Sequence, residues 1–234
     1  MTTHLLFDFF GTLVDYSPSR TEQGFERSFA LLQKTGATLD YESFLAQWSA
    51  LSEEFDREAE RSHREFSMQE LGRAFLPGVT RDPSEAFVSE FVQTYVAEWS
   101  KGIRYLDGLP EMLERLGRRF QLAIITNTHD PALVPGHLER MGVSKLFESV
   151  TTSVEVGRRK PSADIFDHAL GVLGTNAEAC IYVGDNYEAD YLGARSVEMR
   201  GLLIDPDRQA AVAPADRLDS ILDLESLLAR SRSA

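Results

Sequence analysis

Apolar positions along this chain follow two patterns. Three runs, HLLFDFF at 4–10, FQLAIITNT at 120–128 and ACIYVGDN at 179–186, are rich in Leu, Ile, Val and Phe without strict alternation. That is the signature of parallel strands buried on both faces. A weaker run, RGLLIDPD, ends at Asp205 and Pro206. Between these runs apolar residues recur at helical spacing, at 109–119 after a turn at Gly108, at 131–142, at 161–174 and at 187–199. Pro161 suits a first turn and Gly174 an exit. Strand alternating with helix predicts an α/β fold, an open parallel sheet with helices on both faces. Ligands of such sheets bind beyond the carboxyl ends of the strands. Asp8, Thr126 and Asp185 all stand at such ends, so the pattern predicts that they meet in one crevice.

Residues 16–100 break the alternation. TEQGFERSFALLQKTG, YESFLAQWSALSEEFDREAERSHREF, SMQELGRAFL and DPSEAFVSEFVQTYVAEWS carry helical periodicity and almost no strand signal. The expected organisation is therefore an α/β core formed by 1–15 and 101–234, with an all-helical domain at 16–100 inserted after the first strand. The mixed charges of EEFDREAERSHRE, 53–65, read as a solvated helix face. From about 208 onward the expectation is a loop, a short edge strand and a closing helix.

Composition narrows the partners. The 234 residues carry a formal net charge of -13, whose field repels nucleic acid and anionic membrane surfaces. An anionic small substrate then needs a local cationic device. The run in MTTHLLFDFFG is short, interrupted by Asp8 and lacks a preceding basic region, so it is not read as a signal peptide. No stretch approaches a membrane span. The single cysteine, Cys180, lies in an apolar run; it is expected to be buried, and a reducing cytoplasm is the expected location.

The candidate chemistry starts at Asp8 in FDFFGTLVD. Downstream come Thr126 and Asn127 in IITN, Lys160 in GRRKPSADIF, and Asp185 and Asp190 in VGDNYEAD. The GDxxxxD spacing puts one carboxylate at a strand tip and another in the first turn of the next helix. Like charges there, with Asp8 nearby, repel unless a cation intervenes, and hard carboxylate oxygens suit Mg²⁺.

The ordered set DxxGTLVD, TN, KPxxxIF and VGDxxxxD resembles the haloacid dehalogenase superfamily of hydrolases, and it spans essentially the whole chain. The resemblance implies a Rossmann-like core with a helical cap inserted after the first motif. It also implies roles. Asp8 is the nucleophile; Thr126, with the backbone near Asn127, donates hydrogen bonds to the transferring group; Lys160 neutralises charge on Asp8 and on the phosphoryl oxygens of the substrate and is held by Asp190; Asp8, Asp185 and the carbonyl of Phe10 ligate Mg²⁺. Phosphatases of this family carry a second aspartate two positions after the nucleophile, as general acid and base, and this chain has Phe10 there. Motif I therefore looks like that of a 2-haloacid dehalogenase, whereas VGDNYEAD is the metal-binding phosphatase form. The resulting expectation is a Mg²⁺-dependent phosphatase of a small phosphorylated metabolite, monomeric or homodimeric. A metal-independent 2-haloacid dehalogenase and a non-hydrolytic binding or signalling protein stand as alternatives. Arg20 and the cluster Arg57, Arg61, His63 and Arg64 are candidates for contacting the distal part of a substrate, and His129 for a late acid or base.

Overall fold

The computed structural model of the chain describes residues 2–16 and 24–230. In chain order, strands β1 (His4–Phe7) and β2 (Val14–Tyr16) precede helices α1 (Glu26–Lys34), α2 (Tyr41–Ser62), α3 (Met68–Phe75) and α4 (Glu85–Trp99). Then come β3 (Ile103–Tyr105), α5 (Leu109–Gly117), β4 (Gln121–Thr126), α6 (Leu133–Arg140), β5 (Phe147–Thr152), α7 (Ser153–Val156) and α8 (Ala163–Leu173). The chain closes with β6 (Cys180–Gly184), a π-helical turn (Tyr187–Leu192), α9 (Gly193–Ser196), β7 (Arg200–Ile204), β8 (Arg217–Leu218) and α10 (Leu224–Arg230). It divides into two compact units, Met1–Asp15 with Tyr105–Ala234, and Tyr16–Arg104.

The first unit is the α/β core. Its sheet has six strands in the order β5-β4-β1-β6-β7-β8, all pairs parallel. β1 lies inside the sheet, with Leu6 opposite Ala123 on one side and Tyr182 on the other. This position explains its unbroken apolar composition, since Leu5, Leu6 and Phe7 are wholly buried. Three expectations need correcting. The first strand ends at Phe7 rather than running to Phe10, because the chain turns there: the Phe9 carbonyl accepts from the amides of Leu13 (2.9 Å) and Val14 (3.2 Å). The edge strand β5, FESVTT, was not expected; it is only partly buried and lacks the apolar run that marks its neighbours. The helix expected over 187–199 is a π-helical turn followed by the short α9.

The helical unit needs its own core and builds it largely from aromatic rings. Phe25, Phe44, Trp48, Phe75, Phe91 and Tyr95 are buried together. Helix ends are set locally where the sequence permits. Asp40 accepts from the Ser43 amide at 2.7 Å, and Ser67 and Glu70 form a reciprocal capping box on α3. α1 has no local side-chain cap. The wholly buried Glu98, at the end of α4, supplies one instead, accepting from the amides of Arg27 (3.0 Å) and Ser28 (2.9 Å) and from Ser28 Oγ (2.7 Å). Replacing Glu98 by Ala orphans those donors, with an expected loss of about 2–4 kcal/mol, measured by urea unfolding. On α2, Arg57 pairs with Glu53 and Arg61 with Glu58 in exposed contacts, the solvated face that the mixed charges predict. Among the described residues no helix is long and apolar enough to cross a membrane.

Candidate active site

Three strand ends build the site. Asp8 follows the last residue of β1, Thr126 is the last of β4, and Asp185 follows the last of β6. Parallel pairing on both sides of β1 brings these ends level. Thr126 Oγ1 donates to Asp8 Oδ1 at 2.8 Å. Lys160, between α7 and α8, sends its buried ammonium to Asp8 Oδ1 (2.7 Å), Asp190 Oδ1 (2.5 Å) and the Tyr182 hydroxyl (2.7 Å). Asp8 Oδ2 makes no hydrogen bond among the described residues.

Two glycines allow the acids to come this close. A Cβ on Gly184 would lie 2.3 Å from Asp190 Cγ, and one on Gly11, whose φ is +83°, would lie 2.3 Å from Asp185 Oδ2. Neither position has room for a side chain. Thr12 Oγ1 donates to Asp185 Oδ1 at 3.3 Å. The π-helical turn holds Asp190 over the Asn186 amide, which donates to Asp190 Oδ2 at 2.9 Å.

The electrostatics are those of an acid cluster only partly neutralised. Asp8, Asp185 and Asp190 each offer an oxygen within 4.8 Å of the others. Burial, with the charge of Asp190, pushes the Asp8 carboxyl above its usual range although Lys160 pulls the other way. Asp185 is open to solvent on one side. The packed atoms behind it displace water, and this, followed by the like charges of Asp8 and Asp190, pushes it up to about 7. Burial alone would lower the Lys160 ammonium, but Asp190 and Asp8 outweigh it and hold the value above the ordinary one. Oxygen-only donors with an open side for water, and acids that resist ionising as they stand, fit a hard divalent cation. Asp190 is already engaged by Lys160 and Asn186, which leaves Asp8 and Asp185 as the available carboxylates.

Not every candidate joins this group. The Asn127 side chain accepts from the Lys160 amide at 2.8 Å and donates to the Lys160 carbonyl at 3.2 Å. It therefore fixes the lysine's backbone, so only its main chain is available for a transferring group. Phe10 is half-buried with its ring edge-on to Phe9 at 5.0 Å. His129 is half-buried in the loop after Thr128. Arg57 and Arg61 are paired on their own helix, His63 caps that helix in a left-handed conformation, Arg64 follows it, and Arg20 lies outside the described residues. Tyr182 was not expected, because in ACIYVGD it reads as one more apolar strand residue. A tyrosine buried on both faces must place its hydroxyl on a partner, and that was the available signal.

The family model for haloacid dehalogenase-like hydrolases matches residues 2–198. The chain belongs to that family. It is a hydrolase, and the expected family and its Rossmann-like fold both hold. It is 29% identical over 224 residues to the ribulose-1,5-bisphosphate 5-phosphatase of Halopiger xanaduensis, covering 93% of this chain and 91% of that one. It is 28% identical over 196 residues to the phosphoglycolate phosphatase of Colwellia psychrerythraea, covering 83% and 80%. Among solved structures, a 2-haloacid dehalogenase from Pseudomonas syringae pv. Tomato superposes with a TM-score of 0.76 at 22% identity, covering 98% of this chain and 99% of that one. At that identity the likeness concerns the fold alone.

Proposed function

We propose that this hydrolase is a Mg²⁺-dependent phosphatase that acts on a small phosphorylated metabolite through an aspartyl phosphate on Asp8. The observation that carries this reading is the carboxylate cluster of Asp8, Asp185 and Asp190, whose negative charge exceeds what Lys160 offsets. We assign Asp8, Asp185 and the Phe10 carbonyl as the cation's ligands, with Asp190 in support. Mg²⁺ held there supplies charge screening between an anionic nucleophile and an anionic phosphoryl group. Thr126 and Lys160 hold Asp8 Oδ1, which leaves Oδ2 to attack phosphorus. The bond to the leaving oxygen breaks, and water then hydrolyses the aspartyl phosphate. The two relatives named phosphatases, similar along most of the chain, support the same reading. The unit Tyr16–Arg104 is read as a cap that sets specificity.

Phe10 favours a second reading. Its phenyl ring can neither give nor take a proton, and a halide leaving group needs none, so dehalogenation of a 2-haloacid through an aspartyl ester suits that position. The acid cluster weighs against it, since dehalogenation leaves the mutual repulsion of the carboxylates without a use. An assay on p-nitrophenyl phosphate, acetyl phosphate, an alkyl phosphate and L-2-chloropropionate, each with Mg²⁺ and with EDTA, separates the two. The expected result is phosphate release abolished by EDTA; chloride release that persists in EDTA overturns the phosphatase reading. Without an acid at Phe10 the leaving oxygen departs as an anion, so acyl and aryl phosphates are expected to react at least about 10²-fold faster than the alkyl phosphate.

The cation site also carries a pH prediction. Asp185 must lose its proton to bind a metal, and with its carboxyl pushed up to about 7, Mg²⁺ affinity falls as pH drops below that value. In EDTA the sign for stability is opposite. Between 3.8 and about 7 the folded state holds a proton on Asp185 that the unfolded chain releases, so this group's contribution to stability diminishes as pH rises through that window. Added Mg²⁺ should therefore raise the melting temperature more at pH 8 than at pH 5.5, as scanning calorimetry would measure.

A further inference from the structure

The Tyr182 hydroxyl has no role in the site as assigned above. Its residue is wholly buried in β6, opposite Leu6 of β1. Its ring packs edge-on against Phe166 at 5.3 Å. Its hydroxyl donates to the Ile125 carbonyl of β4 at 2.7 Å and accepts from Lys160 Nζ at 2.7 Å. The side chain thus reaches past β1, beneath Asp8, to tie β4 and β6 to the lysine. A phenol has a single proton, and Ile125 takes it at a shorter distance than Asp190 Oδ1, 3.2 Å away. The oxygen's remaining capacity faces the ammonium. An ammonium has three protons, and those of Lys160 go to Asp8, Asp190 and Tyr182.

We infer that Tyr182 is a positioning residue for the reaction: as the third acceptor of the Lys160 ammonium it fixes the direction from which the lysine holds Asp8 Oδ1, and so leaves Oδ2 as the attacking oxygen. This rests on the reading of Asp8 as nucleophile. With Tyr182 in place, all three Lys160 protons are held by protein groups, and the ammonium meets Asp8 Oδ1 from a fixed direction. Without the hydroxyl, the third proton has no partner inside the protein, and the ammonium is free to rotate and pull Asp8 out of line.

The test uses ¹⁵N-labelled full-length protein and steady-state kinetics on p-nitrophenyl phosphate. In the unmodified protein Lys160 should give a slowly exchanging ammonium signal, assigned by its loss in Lys160→Met; its absence overturns the proposal without any Tyr182 variant. In Tyr182→Phe that signal should exchange at least about tenfold faster, and kcat should fall about tenfold to a hundredfold, the range for a hydrogen bond to a charged group, with KM within about twofold. In the Lys160→Met background, Tyr182→Phe should cost nothing further, because the two residues act as one unit. Phe166→Leu loosens the packing around the ring and serves as the structural control. It should lower the melting temperature while leaving the Lys160 exchange rate alone. Unchanged exchange and kcat in Tyr182→Phe, or an equal loss with and without Lys160, overturn the inference. Activity retained in Asp8→Asn would instead sink the nucleophile reading, and the exchange measurement still judges Tyr182 by itself.

Discussion

Asp8→Asn should reduce turnover of p-nitrophenyl phosphate by about 10³-fold or more, the scale on which loss of a nucleophile acts, while leaving the protein at least as stable as before. Both halves follow from the same environment. The Asp8 carboxyl is buried, lies beside Asp190 and resists ionisation, so an amide of nearly the same shape removes repulsion rather than a needed charge. Lys160 keeps Asp190 and Tyr182 as partners, and Thr126 can still donate to the amide oxygen. Stability given up for function is common where an acid is held against its preference. Activity and melting temperature measured on one preparation decide the matter: activity within tenfold of the parent excludes Asp8 as nucleophile, and a large fall in melting temperature contradicts the electrostatic account.

The largest stability effect is expected at Lys160. Lys160→Met removes the ammonium from a site where Lys160 is 4%, Asp8 6% and Asp190 1% exposed. Breaking a buried pair by deleting one partner costs about 3–5 kcal/mol, because the other charge is left buried. Here two carboxylates lose their cation at once. The Asp8 carboxyl, already above its usual range through burial, must rise further without its cation, so the damaged protein should regain stability as pH falls from 8 towards 5, when that acid takes a proton. Urea unfolding at both pH values measures this. Lys160→Met combined with Asp190→Asn should recover part of the loss at pH 8, since it removes one of the stranded charges. A variant equally destabilised at both pH values would point to lost packing rather than lost charge.

The two effects differ in kind because the cluster is asymmetric. Asp8 is the member the fold would rather have neutral, and Lys160 is the member that allows the others to ionise. Glu98, in the helical unit, is wholly buried without being part of that cluster. That buried carboxylate accepts three hydrogen bonds from the start of α1 and is as tightly used as Asp190.

Much of this was legible in the sequence because it depends on short-range rules. An apolar run that stops at a chemically capable residue marks a buried parallel strand and its functional end, so Asp8, Thr126 and Asp185 could be placed together before any coordinates. Helical periodicity set residues 16–100 apart from the strand-bearing runs, whereas the capping box of Ser67 and Glu70 on α3 was found in the structure. The features that escaped are made by residues far apart in the chain. Asn127 grips the backbone of Lys160 across 33 positions, Glu98 caps a helix 70 positions away, and Tyr182 meets both Lys160 and Ile125. β5 escaped because a partly exposed edge strand needs no apolar run. Periodicity and composition report which way a residue faces and what it can do chemically. They do not report which buried donor will find which buried acceptor, and the exclusion of water inside the packed sheet is what forces those pairings.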